Sequence, residues 1–352
     1  MTKLRRQSLV AYAEPLSQTV VPTPEPQGTE VLVRVQRCGV CHSDLHMQDG
    51  FFLLGGDKKL DIRAGRKLPF TLGHEICGVV ESVGNAAVGA RPGDEVAVYP
   101  WIGCGTCLAC RRGNENICAA PRHLGINVDG GFASHVLVPH LRYLIAYAPL
   151  TASFAATLMC SGLTAYAALK RLAEQAAMGP LLLVGMGGVG LMGLALARVM
   201  FPAAPMVADI DAAKREAALK AGAAAAFDPS EPGARKVFLA ASSGGVHGAC
   251  DFVGSEGSLS FATAGLAKGG KAVVAGLFGG TFSLPVAMFG LKAMAIEGIQ
   301  TGTLAQAHEV VALAKEARIT PPPMTERPLE AAQAALEALR AGGVVGRLVL
   351  TA

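Results

Sequence analysis

The stretch Leu181–Gly190 reads LLLVGMGGVG: a short apolar strand, then G-x-G-G-x-G, then a helical pattern. No other part of the chain restricts the fold as much. Glycine at Gly185, Gly187, Gly188 and Gly190 permits a tight turn and a close approach of backbone N–H groups, including that of Val189, to a pyrophosphate. The helix N-terminus behind them adds a favourable partial charge. A flexible glycine-rich loop would share the pattern, but the context is more specific. Asp209 follows about 20 residues on, at the end of the apolar run Met206–Ala208, where a carboxylate accepts ribose hydroxyls and repels a 2′-phosphate. The stretch therefore predicts a dinucleotide site, with NAD preferred over NADP.

A chain of 352 residues is too long for one core, and 51% hydrophobic residues suffice for two. Residues 1 to about 150 look β-rich. Val31–Val35 alternates as a half-buried strand should, and Gly78–Gly84 and Asp94–Tyr99 are further strands. Pro22, Pro24 and Pro26 mark an extended lead-in. Strand-like runs then alternate with alanine-rich helices. The strands are Leu181–Val184, Pro205–Ala208, Cys250–Val253 and Ala272–Gly276; the helices are Val189–Met200, Ala212–Ala221 and Ser258–Ala267. This alternation predicts an α/β unit with a doubly wound parallel sheet. Helices at Leu304–Ala317 and Leu329–Ala341 precede a last strand, Gly346–Leu350, expected to rejoin the first domain. The expected division is 1–155 with 297–352 for the catalytic domain and 156–296 for the cofactor domain.

The uncharged run Ala176–Ala197 could pass for a membrane span, but Pro180 and the four glycines favour a buried strand followed by a helix, and no membrane partner is expected. The basic start MTKLRRQSLVAYAEP lacks an adequate apolar core before Glu14 and is not read as a signal peptide. The net charge of +4 is spread in isolated pairs such as Arg111-Arg112, which gives nucleic-acid binding little support. Nine cysteines, an odd count in C-x-x-C spacing, point to metal in a reducing cytoplasm.

Two cysteine-containing clusters carry the metal chemistry. Cys104, Cys107, Cys110 and Cys118 can close a tetrahedron of four thiolates, which is a structural zinc site. An iron–sulfur centre and four packed free thiols are the alternatives. The second cluster is dispersed. Cys41 in CGVCHSDLH, His74 in GHE and Cys160 in LMCSGLTAY would supply two thiolates and an imidazole, leaving one position of a zinc ion open for catalysis. Taken singly, Cys160 reads as a small buried hydrophobe and His74 as a core histidine; their co-occurrence with the other motifs argues for a site. Asp44 and Glu75 are candidate carboxylates that orient His74 or tune the metal, or else ordinary turn and cap residues. Cys38, Cys77 and Cys250 are read as structural thiols.

CGVCHSDLH, LGHEICGVVESVG, the four-cysteine lobe, LMCSGLTAY, GMGGVG, DID and the closing GRLVL, in that order, resemble the zinc-dependent alcohol dehydrogenases of the medium-chain dehydrogenase/reductase family. The resemblance implies a GroES-like catalytic domain, a Rossmann cofactor domain and a cleft holding zinc and nicotinamide, with two zinc ions per subunit. It implies that Ser43 bonds the substrate hydroxyl and that His46 ends a proton relay. It also implies cofactor contacts for His42, Thr164, Lys214, Leu277 and Arg347, and a homodimer or homotetramer. The segment from Leu45 to Gly73 is longer than many relatives carry; its Phe51, Phe52, Leu53 and Leu54 cap the substrate cleft or form a surface contact. Trp101 is a candidate pocket wall or simple core packing.

The expected reaction is reversible oxidation of an alcohol to an aldehyde or ketone, with hydride passed to NAD. Apolar candidates Phe51, Phe52, Trp101, Met288 and Phe289 suggest an alcohol with an apolar or bulky side. A polyol or amino-alcohol dehydrogenase of the same family is the second expectation, and a non-catalytic zinc- and NAD-binding sensor the third.

Overall fold

The structure is a computed structural model that describes residues 3–317 and 319–352. Its first unit is built on a seven-stranded sheet, antiparallel except where Met324–Pro328 pairs parallel with Arg347–Thr351. Val31–Val40 is the central strand and pairs with Glu75–Val83, His135–Val138 and the last strand, Arg347–Thr351. Glu95–Val98 and Leu144–Ala146 extend one side, and Met324–Pro328 the other. Its apolar residues alternate inward: Val31, Val33 and Val35 are buried while Arg34 is exposed. The tail strand rejoins this sheet as expected, with Leu350 opposite Cys38. A smaller sheet, Ser17–Pro22, Lys3–Leu9 and Phe70–Thr71, lies beside it.

The second unit is a six-stranded parallel sheet. In spatial order its strands are Ala225–Phe227, Met206–Ala208, Leu182–Val184, Val246–Asp251, Leu266–Val274 and Ala295–Gly298. Numbered along the chain this is 3-2-1-4-5-6, the doubly wound order, and the glycine turn follows the strand at which the order reverses. The helix Gly188–Met200 buries Leu191, Met192, Leu194 and Leu196 against the sheet. The run Ala176–Ala197 is thus a strand and a helix, not a span.

Several elements depart from expectation for physical reasons. The strand expected at Cys250–Val253 runs Val246–Asp251, because the Asp251 carboxylate accepts the N–H groups of Val253 and Gly254 and turns the chain. The helix expected to reach Ala267 stops at Ala264, and Leu266 already begins a strand whose Gly269 and Gly270 hid it in the sequence. The helix expected at Leu329–Ala341 opens as a 3₁₀ turn, Leu329–Ala331, before Ala332–Arg340. Phe51–Gly55 and Lys58–Asp61 form a separate hairpin that alternation did not reveal. A helical run, Ala152–Lys170, is long and apolar enough to cross a membrane, but 89% of its most apolar window is buried inside the protein, as a core helix would be. Within it, Leu158–Gly162 is π-helical.

Candidate active site

The strand Val31–Val40 delivers Cys41 as the N-cap of the helix His42–Asp49. Asp44, fully buried, closes that cap: its Oδ2 accepts the Cys41 N–H at 2.9 Å. Gly50 ends the helix with φ +81°, a left-handed conformation that suits glycine. The same Asp44 reaches His74. Its Oδ1 lies 3.2 Å from His74 Nδ1 and accepts the Gly73 N–H at 3.3 Å. One carboxylate therefore fixes a cysteine backbone and an imidazole ring together. Cys160 arrives on the π-helical turn, a distortion found often at functional sites.

The donor atoms of Cys41, His74 and Cys160 lie within 4.8 Å of one another, although the residues come from three separate elements. All three residues are buried, and His74 Nε2 has no hydrogen-bond partner. A buried imidazole nitrogen left without a partner is costly, and a metal ion among two sulfurs and that nitrogen removes the cost. The donor set thus fits zinc. The Cys41 thiol is held well below its ordinary pKa by the hydrogen bond it shares with Cys160, against the opposing effect of burial. Burial disfavours charge on His74, yet the Asp44 carboxylate and Cys41 outweigh it and hold the imidazole well above its usual value.

Glu75 does something other than orient His74. Its Oε1 accepts the Ser161 N–H at 3.2 Å, next to Cys160, and its Oε2 pairs with Arg347 at 2.5 Å. Of the two candidate carboxylates, Asp44 alone contacts the imidazole. Arg347, expected at the cofactor phosphates, is buried beside the metal cluster by this pairing, and its side chain packs against Gly188 of the glycine turn. It forms a seam between the two units.

The second cluster is compact. The four sulfurs of Cys104, Cys107, Cys110 and Cys118 also lie within 4.8 Å of one another, and the helix Leu108–Arg111 between them buries none of its residues. Such a lobe has no apolar core to hold it, which suits a four-thiolate metal site.

At the dinucleotide turn, Gly185 has φ +88°, and a β-carbon on Gly190 would collide with the Gly185 carbonyl oxygen. Gly187 caps the helix that starts at Gly188 and Val189. Asp209 sits under the turn: its Oδ2 accepts the Met186 N–H at 2.6 Å and its Oδ1 the Asp211 N–H at 2.8 Å.

Comparison with known proteins settles the family. Residues 27–148 match the alcohol dehydrogenase GroES-like domain, and residues 188–316 the zinc-binding dehydrogenase domain. An NAD-dependent alcohol dehydrogenase of Sulfurisphaera tokodaii is 36% identical over 99% of both chains. The chain belongs to the zinc-dependent alcohol dehydrogenases of the medium-chain dehydrogenase/reductase family. An NAD-dependent alcohol dehydrogenase of Saccharolobus solfataricus is 38% identical, again over 99% of both chains. The crystal structure of an alcohol dehydrogenase from Aeropyrum pernix superposes with a TM-score of 0.88 at 31% identity, covering 99% of this chain and 100% of that one.

The remaining residues expected at the site of this alcohol dehydrogenase lie on several elements. Ser43 Oγ is 3.7 Å from the Cys41 sulfur. His42 and His46 share one helix face, with ring centroids 5.8 Å apart, and Phe52 lies 4.6 Å from the His46 ring. His46 is held below the ordinary histidine pKa by burial and by His42. Phe51 is partly buried and lies under Lys59 Nζ. Thr164 is buried on the helix that follows Cys160, and Leu277 is exposed in the loop beyond the strand Leu266–Val274. Lys214 Nζ donates to the Gly342 carbonyl at 2.8 Å. Trp101 is buried with its ring tilted against that of His74, centroids 5.4 Å apart, so it is more than a pocket lining.

Two features escaped the sequence. The loop Gly279–Thr281 meets the hairpin: a β-carbon on Gly55 would strike Thr281 Oγ1, and one on Gly279 the Leu53 carbonyl oxygen. The glycine pair in LFGGTF was the available signal. His123 stands edge-on to Trp101, and no spacing pattern marks it.

Proposed function

We propose that this alcohol dehydrogenase oxidises a primary or secondary alcohol with an apolar or bulky side, reversibly, to the aldehyde or ketone, using NAD. The observation that carries the reading is the convergence of Cys41, His74 and Cys160 beside the helix that bears Ser43 and His46, with the glycine turn joined to that cluster through Arg347. We assign those three residues as ligands of a catalytic zinc and the four lobe cysteines as ligands of a second, structural zinc. When bound, the first ion supplies the Lewis acidity that lowers a hydroxyl's pKa, and NAD supplies the hydride acceptor.

The chain's own residues do the rest. Asp44 holds His74 so that Nε2 points to the metal. Ser43 would hydrogen-bond the substrate hydroxyl and take up its proton, and His46, one helical turn further on, would be the final acceptor. Because burial depresses its pKa, His46 stays neutral and able to accept that proton to lower pH than a free histidine. Gly185, Gly187, Gly188, Val189 and Gly190 cradle the pyrophosphate, and Asp209 takes the ribose hydroxyls. His42, Thr164, Lys214 and Leu277 flank the cofactor, while Arg347 reaches it only at the edge of the turn. Phe51, Phe52 and the hairpin close the outer cleft, and the division at about residues 156 and 296 lets the two units form it. The exposed Val286, Phe289 and Leu291 lie near the open edge strand Ala295–Gly298 and favour a homodimer or homotetramer. The six free thiols of the two metal sites suit a reducing cytoplasm.

A sugar dehydrogenase is the second reading. A D-arabinose 1-dehydrogenase (NADP(+)) of Saccharolobus solfataricus is 30% identical over all of this chain. One experiment separates them: metal analysis, then NADH and NADPH absorbance with primary, secondary and aromatic alcohols, polyols and D-arabinose. Two zinc ions per chain and fastest turnover of apolar alcohols with NAD are expected. Turnover confined to D-arabinose with NADP would overturn the primary reading.

A further inference from the structure

Trp101 touches both the His74 ring and the peptide before Cys160 in the buried cluster. Its indole Nε1 donates to the Met159 carbonyl at 2.9 Å, the peptide that leads into Cys160. Its ring lies 5.4 Å from the His74 ring at an interplanar angle of 59°. From the other side, His123 meets it edge-on at 5.3 Å and 80°. His123 is itself buried, with Nε2 unpartnered, and burial holds it neutral, its pKa pushed down to about 4. The indole is thus gripped on both sides, and only 5% of the residue is exposed.

The grip continues into the cysteine lobe. The Pro100 carbonyl accepts the Leu124 N–H at 3.0 Å, and the Ile102 carbonyl accepts the Arg122 N–H at 2.8 Å, which holds the 122–124 segment and its His123 against Trp101. Two residues beyond Trp101, the Gly103 N–H donates to Glu115 Oε2 at 3.0 Å. The Cys104 N–H then donates to the Cys118 sulfur at 3.2 Å. Rotation or slippage of the lobe therefore moves the indole, and the indole moves His74 and the π-helical turn that carries Cys160.

We propose that Trp101 is a positioning residue for the catalytic metal, and that the cysteine lobe acts on the chemistry through it. The proposal rests on Cys41, His74 and Cys160 being the ligands. A π-helical turn has a weaker internal ladder than an α-helix, so an outside donor on Met159 fixes the direction of Cys160. Asp44 lies against the His74 ring at its Nδ1 edge, and the tilted indole of Trp101 packs on the same ring at 5.4 Å, so two neighbours restrict its rotation. A side chain that merely lined the pocket would alter substrate fit and leave the metal's surroundings as they were.

The test uses the full-length holoenzyme and two variants, Trp101→Leu and Trp101→Phe. Three quantities are read: the rate at which the catalytic metal passes to a chelator, the visible spectrum of Co²⁺ placed in that site, and kcat and KM for a small alcohol. Trp101→Leu is expected to release the catalytic metal about tenfold faster or more, to shift the Co²⁺ bands and to lower kcat more than it raises KM. Trp101→Phe keeps a ring against His74 but loses the bond to Met159, and should fall between the parent and Trp101→Leu. Cys104→Ser in the lobe should also speed release of the catalytic metal, and should add little when Trp101 is already leucine. Release within about twofold of the parent and an unchanged Co²⁺ spectrum in both tryptophan variants, with only KM for bulky alcohols altered, would overturn the proposal. If Trp101→Leu loses the lobe metal too, Trp101→Phe decides by the same criteria. A parent enzyme that binds metal in the lobe alone would instead sink the ligand assignment.

Discussion

The cysteine lobe takes all four sulfurs from one loop, Cys104 to Cys118, while the buried cluster takes three donors from a helix cap, a strand entry and a π-helical turn. Three of the lobe cysteines are partly exposed; every donor of the buried cluster is enclosed. The lobe buries no side chain of its short helix, so on the proposed assignment its shape depends on a bound ion. The buried cluster is assembled by strands of the seven-stranded sheet, a π-helical turn and an ion pair, and its shape depends on the fold. A local site thus spends metal binding on structure, whereas a dispersed site is set up by structure to bind a metal with a vertex to spare.

The largest test of this contrast replaces one ligand of each kind. Cys160→Ala should abolish turnover, leave one metal ion per chain and leave NADH binding intact, as metal analysis and NADH fluorescence would report. Cys110→Ala should lower thermal stability and open the lobe to proteases while measurable turnover persists. Equal loss of turnover in the two variants would break the distinction.

Acid offers a second test. Burial, the larger cause, lowers His123 from the ordinary 6.5 to about 4. Its folded pKa lies below its unfolded one, so the unfolded chain takes up the proton first. The stability this gives is present above pH 6.5 and is lost as the pH falls from 6.5 towards 4, about 3 kcal/mol in all. Urea unfolding of the parent and of His123→Phe at pH 7 and pH 5 should show a shallower pH slope for the variant. An identical slope would mean that His123 does not support the buried side.

The smallest effect expected is at Asp44. Asp44→Asn keeps the size of the side chain and weakens its hold on His74 Nδ1, which should cost about 10- to 100-fold in catalytic metal affinity or turnover. Equilibrium competition with a chelator would measure it, and the lobe ion should be retained throughout.

The contrast also explains what the sequence revealed. The lobe and the glycine turn are local, so spacing alone exposes them. The central strand is legible because Val31, Val33 and Val35 recur at every second position with Arg34 exposed between the last two, although Leu32 is buried as well. The dispersed cluster was legible only as a set, since Cys41 and Cys160 singly resemble core residues. Glu75 and Arg347 could not be paired from spacing, because they lie 272 residues apart. The π-helical turn was invisible because its distortion comes from packing, and LMCSGLTAY has no helix breaker beyond Gly162. The hairpin at residues 51–61 was hidden by apolar residues that run together as Phe51–Leu54 instead of alternating.

The strand Arg347–Thr351 is hydrogen-bonded to Val31–Val40, and its first residue neutralises Glu75 inside the protein. During synthesis on a ribosome, the amino-terminal half therefore emerges with a gap in its main sheet and an uncompensated carboxylate behind the cysteine at position 160. Maturation of the reactive centre must wait until residues 347–351 have left the exit tunnel, so a fragment that lacks them should be a poor metal binder at the buried cluster however well its lobe folds.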